Sequence, residues 1–198
     1  MLYKAFQVTV PYFIHRVDSH SQNGYILDMI NSQDATILGY QRTDFGDQSD
    51  SKYIDAVFPV FVNAVKEMSN ELNCTFNIQG RPWFTQYSHN EFCRWHVHEN
   101  CHWVFVYYLE FPEGSPYTTF RTLDGKEEFE VPVKEGDMII FPGFMNHCSK
   151  INRSNSRKTV VTLNTTQWTT EKELMEPIED ITTEELYNRV FNAETKRG

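Results

Sequence analysis

His96 and His98 stand one residue apart at the start of the segment WHVHENCHWVFVYYLEF, residues 95–111. Side chains alternate across a strand, so the two imidazoles share one face while Val97 points to the other. Two imidazoles side by side on a stiff strand form half of a metal site. A third, His147, follows 49 residues after His98 in FPGFMNHC, just past another short apolar run. Two ligands from one strand and one from a neighbour hold one side of an ion and leave other positions open. That is the arrangement of a catalytic site, in contrast to a closed structural one. A lone histidine in a strand has an ordinary structural reading, and His15, His20 and His89 take that reading here. His102 precedes an apolar strand and is expected near a pocket mouth, without a ligand role.

The elements that must position these residues change in character along the chain. Residues 2–13 alternate loosely and read as a strand broken at Pro11. Residues 22–31 read as a helix, with Tyr25, Ile26, Met29 and Ile30 on one side. Residues 37–50, polar and carrying Gly39 and Gly46, read as a loop of the kind that supplies substrate contacts. Over residues 52–72, Ile54, Phe58, Phe61, Val65, Met68 and Leu72 recur at spacings of three and four, giving one apolar stripe for a sheet. Pro59 is expected to kink this helix or to open a second one.

From residue 75 the pattern is one of strands, at 75–78, 83–87, 93–98, 103–111, 118–123, 128–132, 137–141 and 158–163. Asp124-Gly125 marks a hairpin turn, and Gly136-Asp137 a second tight turn. Short, closely spaced strands after helices predict a mainly β sandwich or barrel in a single domain, residues 1–198. Thr182 with Glu185 forms a capping box for a helix over 183–193, in a C-terminal helical extension covering 165–198.

Composition excludes several functions. A net charge of −9 argues against broad nucleic-acid binding, which needs a basic surface. The N-terminus lacks a basic n-region followed by an apolar h-region, and no run approaches the roughly 18 apolar residues of a membrane span. The four cysteines, Cys74, Cys93, Cys101 and Cys148, form no CxxC pair, which argues against a thiolate zinc site. Free thiols and a cytoplasmic location are expected.

Taken together, His96, the strand end Tyr107-Tyr108-Leu109, the turn Glu135-Gly136-Asp137 leading into Met138-Ile139-Ile140-Phe141-Pro142, the distal His147, and Arg157-Lys158-Thr159 ten residues beyond it resemble the 2-oxoglutarate- and iron(II)-dependent oxygenases. The likeness is to the small prolyl-hydroxylase-like oxygenases of phages and bacteria. It implies a double-stranded β-helix, or jelly roll, over 75–164, with supporting N-terminal helices and a C-terminal helix. It implies Fe(II) held by His96 and His147, with His98 at the third position, where the family usually has Asp or Glu. Glu99 is the alternative third ligand.

The resemblance further implies 2-oxoglutarate as cosubstrate, its distal carboxylate held by Arg157 with the hydroxyls of Thr159 and Tyr108, and Tyr87 as a further contact. The reaction implied is hydroxylation of a C–H bond by dioxygen, with a protein side chain or a small amino-acid-like molecule as substrate. No catalytic residue beyond the metal ligands is needed. Two other readings stay open. One is a cupin-like metalloenzyme without 2-oxoglutarate, although Cys101 and His102 stand where its ligand Glu is expected. The other is a non-catalytic jelly-roll binding or structural module.

Overall fold

β-Branched and aromatic runs pair readily into pleated sheets, and here they form two. In the computed structural model, residues 9–18, 20–46 and 51–168 are described. The order is β1 (Phe13–Arg16), a 3-10 turn (His20–Gln22), α1 (Asn23–Ser32), β2 (Thr36–Ile37), β3 (Arg42–Thr43), α2 (Lys52–Leu72), β4 (Thr75–Tyr87), β5 (Cys93–His96), β6 (Trp103–Glu110), β7 (Thr118–Arg121), β8 (Glu128–Glu130), β9 (Asp137–Pro142), β10 (His147–Ser149) and β11 (Lys158–Trp168). Seven strands form one antiparallel sheet in the order β1-β9-β6-β11-β4-β3-β2, and four form another in the order β5-β10-β7-β8. The mainly β, two-sheet architecture is the one expected from the sequence.

Alternation along the long strands sends side chains into two separate cores. Phe105, Tyr107, Met138, Ile140, Val161 and Leu163 pack against helix residues including Ile30, Phe58 and Phe61. Val106, Tyr108, Ile139, Phe141 and Val160 point the other way and meet Phe120 of the smaller sheet. The large sheet is therefore covered by helices on one face and by the small sheet on the other. Each fully buried phenylalanine, such as Phe58, Phe61 or Phe105, contributes about 1.5–3 kcal/mol.

The predicted stripe of α2 is the buried one, from Ile54 through Met68, with Leu72 at its edge. The helix runs unbroken through Pro59. Burial of Val57, Phe58, Val60 and Phe61 around the proline outweighs the roughly 3 kcal/mol that an interior proline costs. Asn73, left-handed at φ 47°, ends it.

Several elements differ from the sequence reading. The supposed loop 37–50 contains the hairpin β2–β3, added to the edge of β4 through Arg42↔Gln86 and Thr43↔Thr85. Its exit is fixed by buried Asp44, which accepts the Phe84 N–H (2.9 Å) and the Tyr53 hydroxyl (2.7 Å). The strands expected at 75–78 and 83–87 are one strand, β4, with residues 80–82 bulged opposite Leu163. β5 stops at His96, and β11 continues to Trp168. No helix among the described residues is long and apolar enough to cross a membrane. Residues 2–8 and 47–50 and the helix expected at 183–193 lie outside the described residues.

One buried side chain ties the loops around the cavity together. Asn152 Nδ2 donates to Tyr87 O and Ser156 O (both 2.9 Å), and Oδ1 accepts the Ser154 N–H (3.0 Å). Its backbone pairs with Asn90 and Glu91 in the β4–β5 turn. Asn152→Ala strands these buried groups and is expected to cost about 2–4 kcal/mol, read from urea unfolding. A loss below about 0.5 kcal/mol would show that the loops are held by other contacts.

Candidate metal centre

His96 ends β5, His147 begins β10, and the two residues are directly opposed in the antiparallel register. Their ring centroids lie 4.2 Å apart. His98 comes just beyond the strand, so the simple alternation argument does not place it. Its backbone N–H donates to Gly143 O (2.9 Å), and the Gly143 N–H donates to His102 O (2.8 Å). Only glycine permits this approach: a Cβ at 143 would lie 2.6 Å from Cys101 Sγ and 2.7 Å from Cys101 O. The His98 ring lies 5.3 Å from that of His96 and 5.2 Å from that of His147. One ligand atom from each histidine falls within 4.8 Å of the others. Glu99 is exposed at the cavity lip and outside this group.

All three imidazoles are oriented by oxygen acceptors. His96 Nδ1 donates to Arg94 O (2.8 Å), His147 Nδ1 to Met145 O (2.9 Å) and His98 Nδ1 to Asn164 Oδ1 (2.8 Å). A carbonyl oxygen only accepts, so the proton sits on Nδ1 and the Nε2 lone pair is left free to bind a metal. Trp83 stacks on His98 at 5.9 Å, and Phe141 meets His147 edge-on at 4.7 Å. Burial, reinforced by His96, pushes the His147 pKa down to about 3. Burial pushes His98 down to about 4, against the pull of Asn164. Both are therefore neutral ligands at pH 7. With no carboxylate in the group, an ion held here keeps its full charge.

The histidines line a cavity of about 430 Å³ that also takes in Thr162 and Asn164, with Lys158 at its floor. Lys158 is 1% exposed. Its Nζ donates to Pro116 O (2.9 Å) and Ser149 Oγ (3.2 Å), and it lies 5.3, 5.5 and 5.7 Å from the ring centres of Tyr87, Tyr108 and Phe111. Desolvation lowers its pKa to about 7, outweighing the pull of Cys93, Cys148 and Glu130. Tyr87 lines the cavity. Tyr108 is fully buried behind it and shares a 2.6 Å hydrogen bond with Thr118 Oγ1.

Arg157 is placed differently from the sequence expectation. It is partly exposed outside the cavity, its Nε donating to Glu110 Oε2 at 2.9 Å. Thr159 also turns away, donating to the same oxygen (2.6 Å) and accepting from Gln86 Nε2 (3.2 Å). The cause is parity: Thr159, Val161 and Leu163 face the helix side, while Lys158, Val160, Thr162 and Asn164 line the cavity. A shift of one residue along a strand exchanges the faces.

Sequence reasoning missed Lys158, Asn164, Trp83 and Cys93, whose Sγ lies 3.7 Å from His96 Nδ1. The alternation in KTVVTLN, apolar at Val161 and Leu163 and polar at Lys158, Thr162 and Asn164, is the signal that separates the two faces. The other histidines are engaged elsewhere. His102 Nδ1 accepts the Gln167 N–H (2.8 Å), His15 pairs with Glu67 (2.7 Å), and His20 and His89 bond to backbone carbonyls.

Comparison with solved structures adds an independent observation. A 2OG-Fe(II) oxygenase family oxidoreductase from Burkholderia pseudomallei superposes with TM-score 0.63 at 9% identity, over 78% of this chain and 84% of that one. A prolyl-4-hydroxylase from Pseudomonas putida gives TM-score 0.57 at 12% identity, over 79% and 93%. HygX from Streptomyces hygroscopicus, solved with nickel, 2-oxoglutarate and hygromycin B, gives 0.60 at 11% identity, over 81% and 86%. The fold is that of the 2OG-Fe(II) oxygenases. No family model and no curated protein matches the chain at the level of sequence. In this oxygenase fold, the cavity between the two sheets holds the three histidines and Lys158 together.

The depressed histidine pKa values predict how the metal-free protein responds to acid. Above the unfolded value near 6.5, His98 and His147 are neutral in both states. As pH falls below about 6.5, the unfolded chain takes up protons that the folded chain refuses until about pH 4 and 3. Stability is therefore lost across that window, and the Tm is expected to drop by at least about 5 °C from pH 7 to 5. The double variant His98→Gln/His147→Gln should flatten this dependence; an unchanged slope would assign it to other groups.

Proposed function

We propose that the protein is a 2-oxoglutarate- and iron(II)-dependent oxygenase that hydroxylates a C–H bond of a protein side chain or a small amino-acid-like molecule. The observation that carries this reading is the placement of Lys158, a buried amine in the same cavity as three histidines with free Nε2 atoms. Its direct hydrogen-bond partners, Pro116 O and Ser149 Oγ, are neutral, and the more distant Glu130 does not make up for its desolvation. An anion entering the cavity supplies the counter-charge, and a dicarboxylate spans from Lys158 toward the histidines. His96, His98 and His147 would hold the ion through Nε2. Bound iron with 2-oxoglutarate and dioxygen supplies oxidative decarboxylation to succinate and CO2, coupled to hydroxylation of the substrate.

The chain's own residues bind, orient and exclude water. Lys158 takes the role that the resemblance gave to Arg157, with Ser149 and the walls of Tyr87 and Tyr108 around it. Val106 and Val160 keep the inner cavity apolar, which strengthens the ion pair by lowering the local dielectric. Arg157, Thr159 and Glu110 instead brace the start of β11. The neutral three-imidazole shell makes metal binding depend on the anionic cosubstrate more than in a site with a carboxylate ligand. The same shell favours a second reading, a metalloenzyme that works without 2-oxoglutarate. A cytoplasmic location belongs to the leading reading, since ferrous iron and four free thiols are kept in that state by reducing surroundings.

Anaerobic addition of Fe(II) and 2-oxoglutarate should produce a metal-to-ligand charge-transfer absorbance; its absence would favour the second reading. Lys158→Met is expected to raise the Kd for 2-oxoglutarate at least about 30-fold while metal binding alone is retained. Arg157→Met should change that Kd by less than about threefold, and the reverse pattern would return the role to Arg157.

The pH dependence follows from the Lys158 pKa of about 7. Above that pH the free site loses the charge that the bound carboxylate needs, so affinity falls by up to about tenfold per pH unit. Isothermal titration at pH 6.5 and 8.5 measures this. Equal affinity at the two values would show that Lys158 does not bind the anion as an ammonium.

A further inference from the structure

The outer half of the cavity differs from its floor. Leu38, Phe45 and Val97 line it although they are 50%, 58% and 46% exposed. Phe45 meets Trp83 edge-on at 5.1 Å, forming an aromatic corner above His98. Exposed apolar side chains gathered around a cavity mouth mark a surface that a ligand covers. Glu99, exposed on the lip, is the only carboxylate among the described lining residues, and Lys158 at the floor is the only Lys or Arg. Gln41, from the turn between β2 and β3, adds a buried Oε1 with no hydrogen-bond partner among the described residues, while its amide N–H faces the Cys93 sulfur. Arg94, whose guanidinium lies over Tyr40 at 5.9 Å, does not line the cavity.

We propose that the substrate is a protonated amine carried on an aliphatic stem, received by Glu99 and the Phe45–Trp83 corner at the mouth; this rests on the oxygenase reading above. Once the cosubstrate has neutralised Lys158, Glu99 is the one carboxylate left among the described lining residues, and Gln41 Oε1 adds an unpartnered acceptor. A donor-bearing cation matches them, and the exposed Phe45 ring at the mouth attracts it further. An anion meets Glu99 at the entrance and is repelled.

The charges also fix the orientation of the substrate. A divalent ion on neutral imidazoles, together with Lys158, carries one positive charge more than a dianionic cosubstrate cancels. The ammonium group is therefore held outward at Glu99, and the stem points inward to the histidines. Oxidation falls on a carbon remote from the nitrogen. Leu38 and Val97 supply the apolar contact for the stem.

Three probes of one length and different charge test this: hexylammonium, 1-hexanol and hexanoate. Each is titrated anaerobically into protein loaded with Fe(II) and 2-oxoglutarate, and the perturbation of the charge-transfer band gives the Kd. Hexylammonium is expected to bind at least tenfold tighter than hexanol, with hexanoate weakest. Glu99→Gln should remove the preference for the ammonium while leaving the band of the loaded protein in place. Phe45→Ala should weaken hexylammonium and hexanol together. Equal binding of hexanol, tightest binding of hexanoate, a preference that survives Glu99→Gln, or no response to any probe in protein that shows the band would each overturn the proposal. Absence of the band before any probe is added would overturn the oxygenase reading, and the substrate proposal with it.

Discussion

β10 is three residues long, yet it is hydrogen-bonded on both edges, to β5 on one side and β7 on the other. That pairing brings His147 opposite His96, and the rest of the site depends on it. An isolated three-residue strand has no stability of its own, so β10 persists because the small sheet closes over the aromatic layer of Phe120 and Phe141. The packing between the sheets and the meeting of the histidines are thus one event. The third histidine arrives by a different route, through loop hydrogen bonds and the Trp83 stack.

A second constraint is the parity of β11. Its alternate residues serve different faces: Val161 and Leu163 seal the helix-facing core, and Lys158, Val160, Thr162 and Asn164 line the cavity. The helices on the outer face and the chemistry on the inner one are coupled through a single strand. The parity puts Lys158 on the cavity side, because the alternate positions Val161 and Leu163 are committed to the helix-facing core. It also explains why two adjacent basic residues, Arg157 and Lys158, have unrelated surroundings, one a half-exposed ion pair and the other an enclosed ammonium.

Much of this was legible in the sequence, for identifiable physical reasons. The α2 stripe and the long strands declared themselves through periodicity, and the pair His96 and His147 through residue type and order. What escaped were features set by tertiary pairing. β10 and the β2–β3 hairpin are too short to carry a pattern, and they exist because a neighbouring edge holds them. His98 follows a strand end that its flanking residues do not announce. Lys158 was hidden by its neighbour, because alternation alone shows that Arg157 and Thr159 share a face and not which face of β11 lines the cavity. Pro59 looked like a break because local propensity carries no information about the sheet beneath the helix.

The contact at Gly143 bears on the cost of assembling the site. The missing methyl group lets the loop after β9 lie flat against the backbone of Cys101, and reciprocal hydrogen bonds lock the two segments over His98 and His102. The third imidazole therefore has little freedom left to lose when an ion arrives. The entropy of fixing this loop is spent during folding, before any ion arrives. A side chain at 143 would return that freedom to the loop and leave a two-histidine site with a wandering third arm.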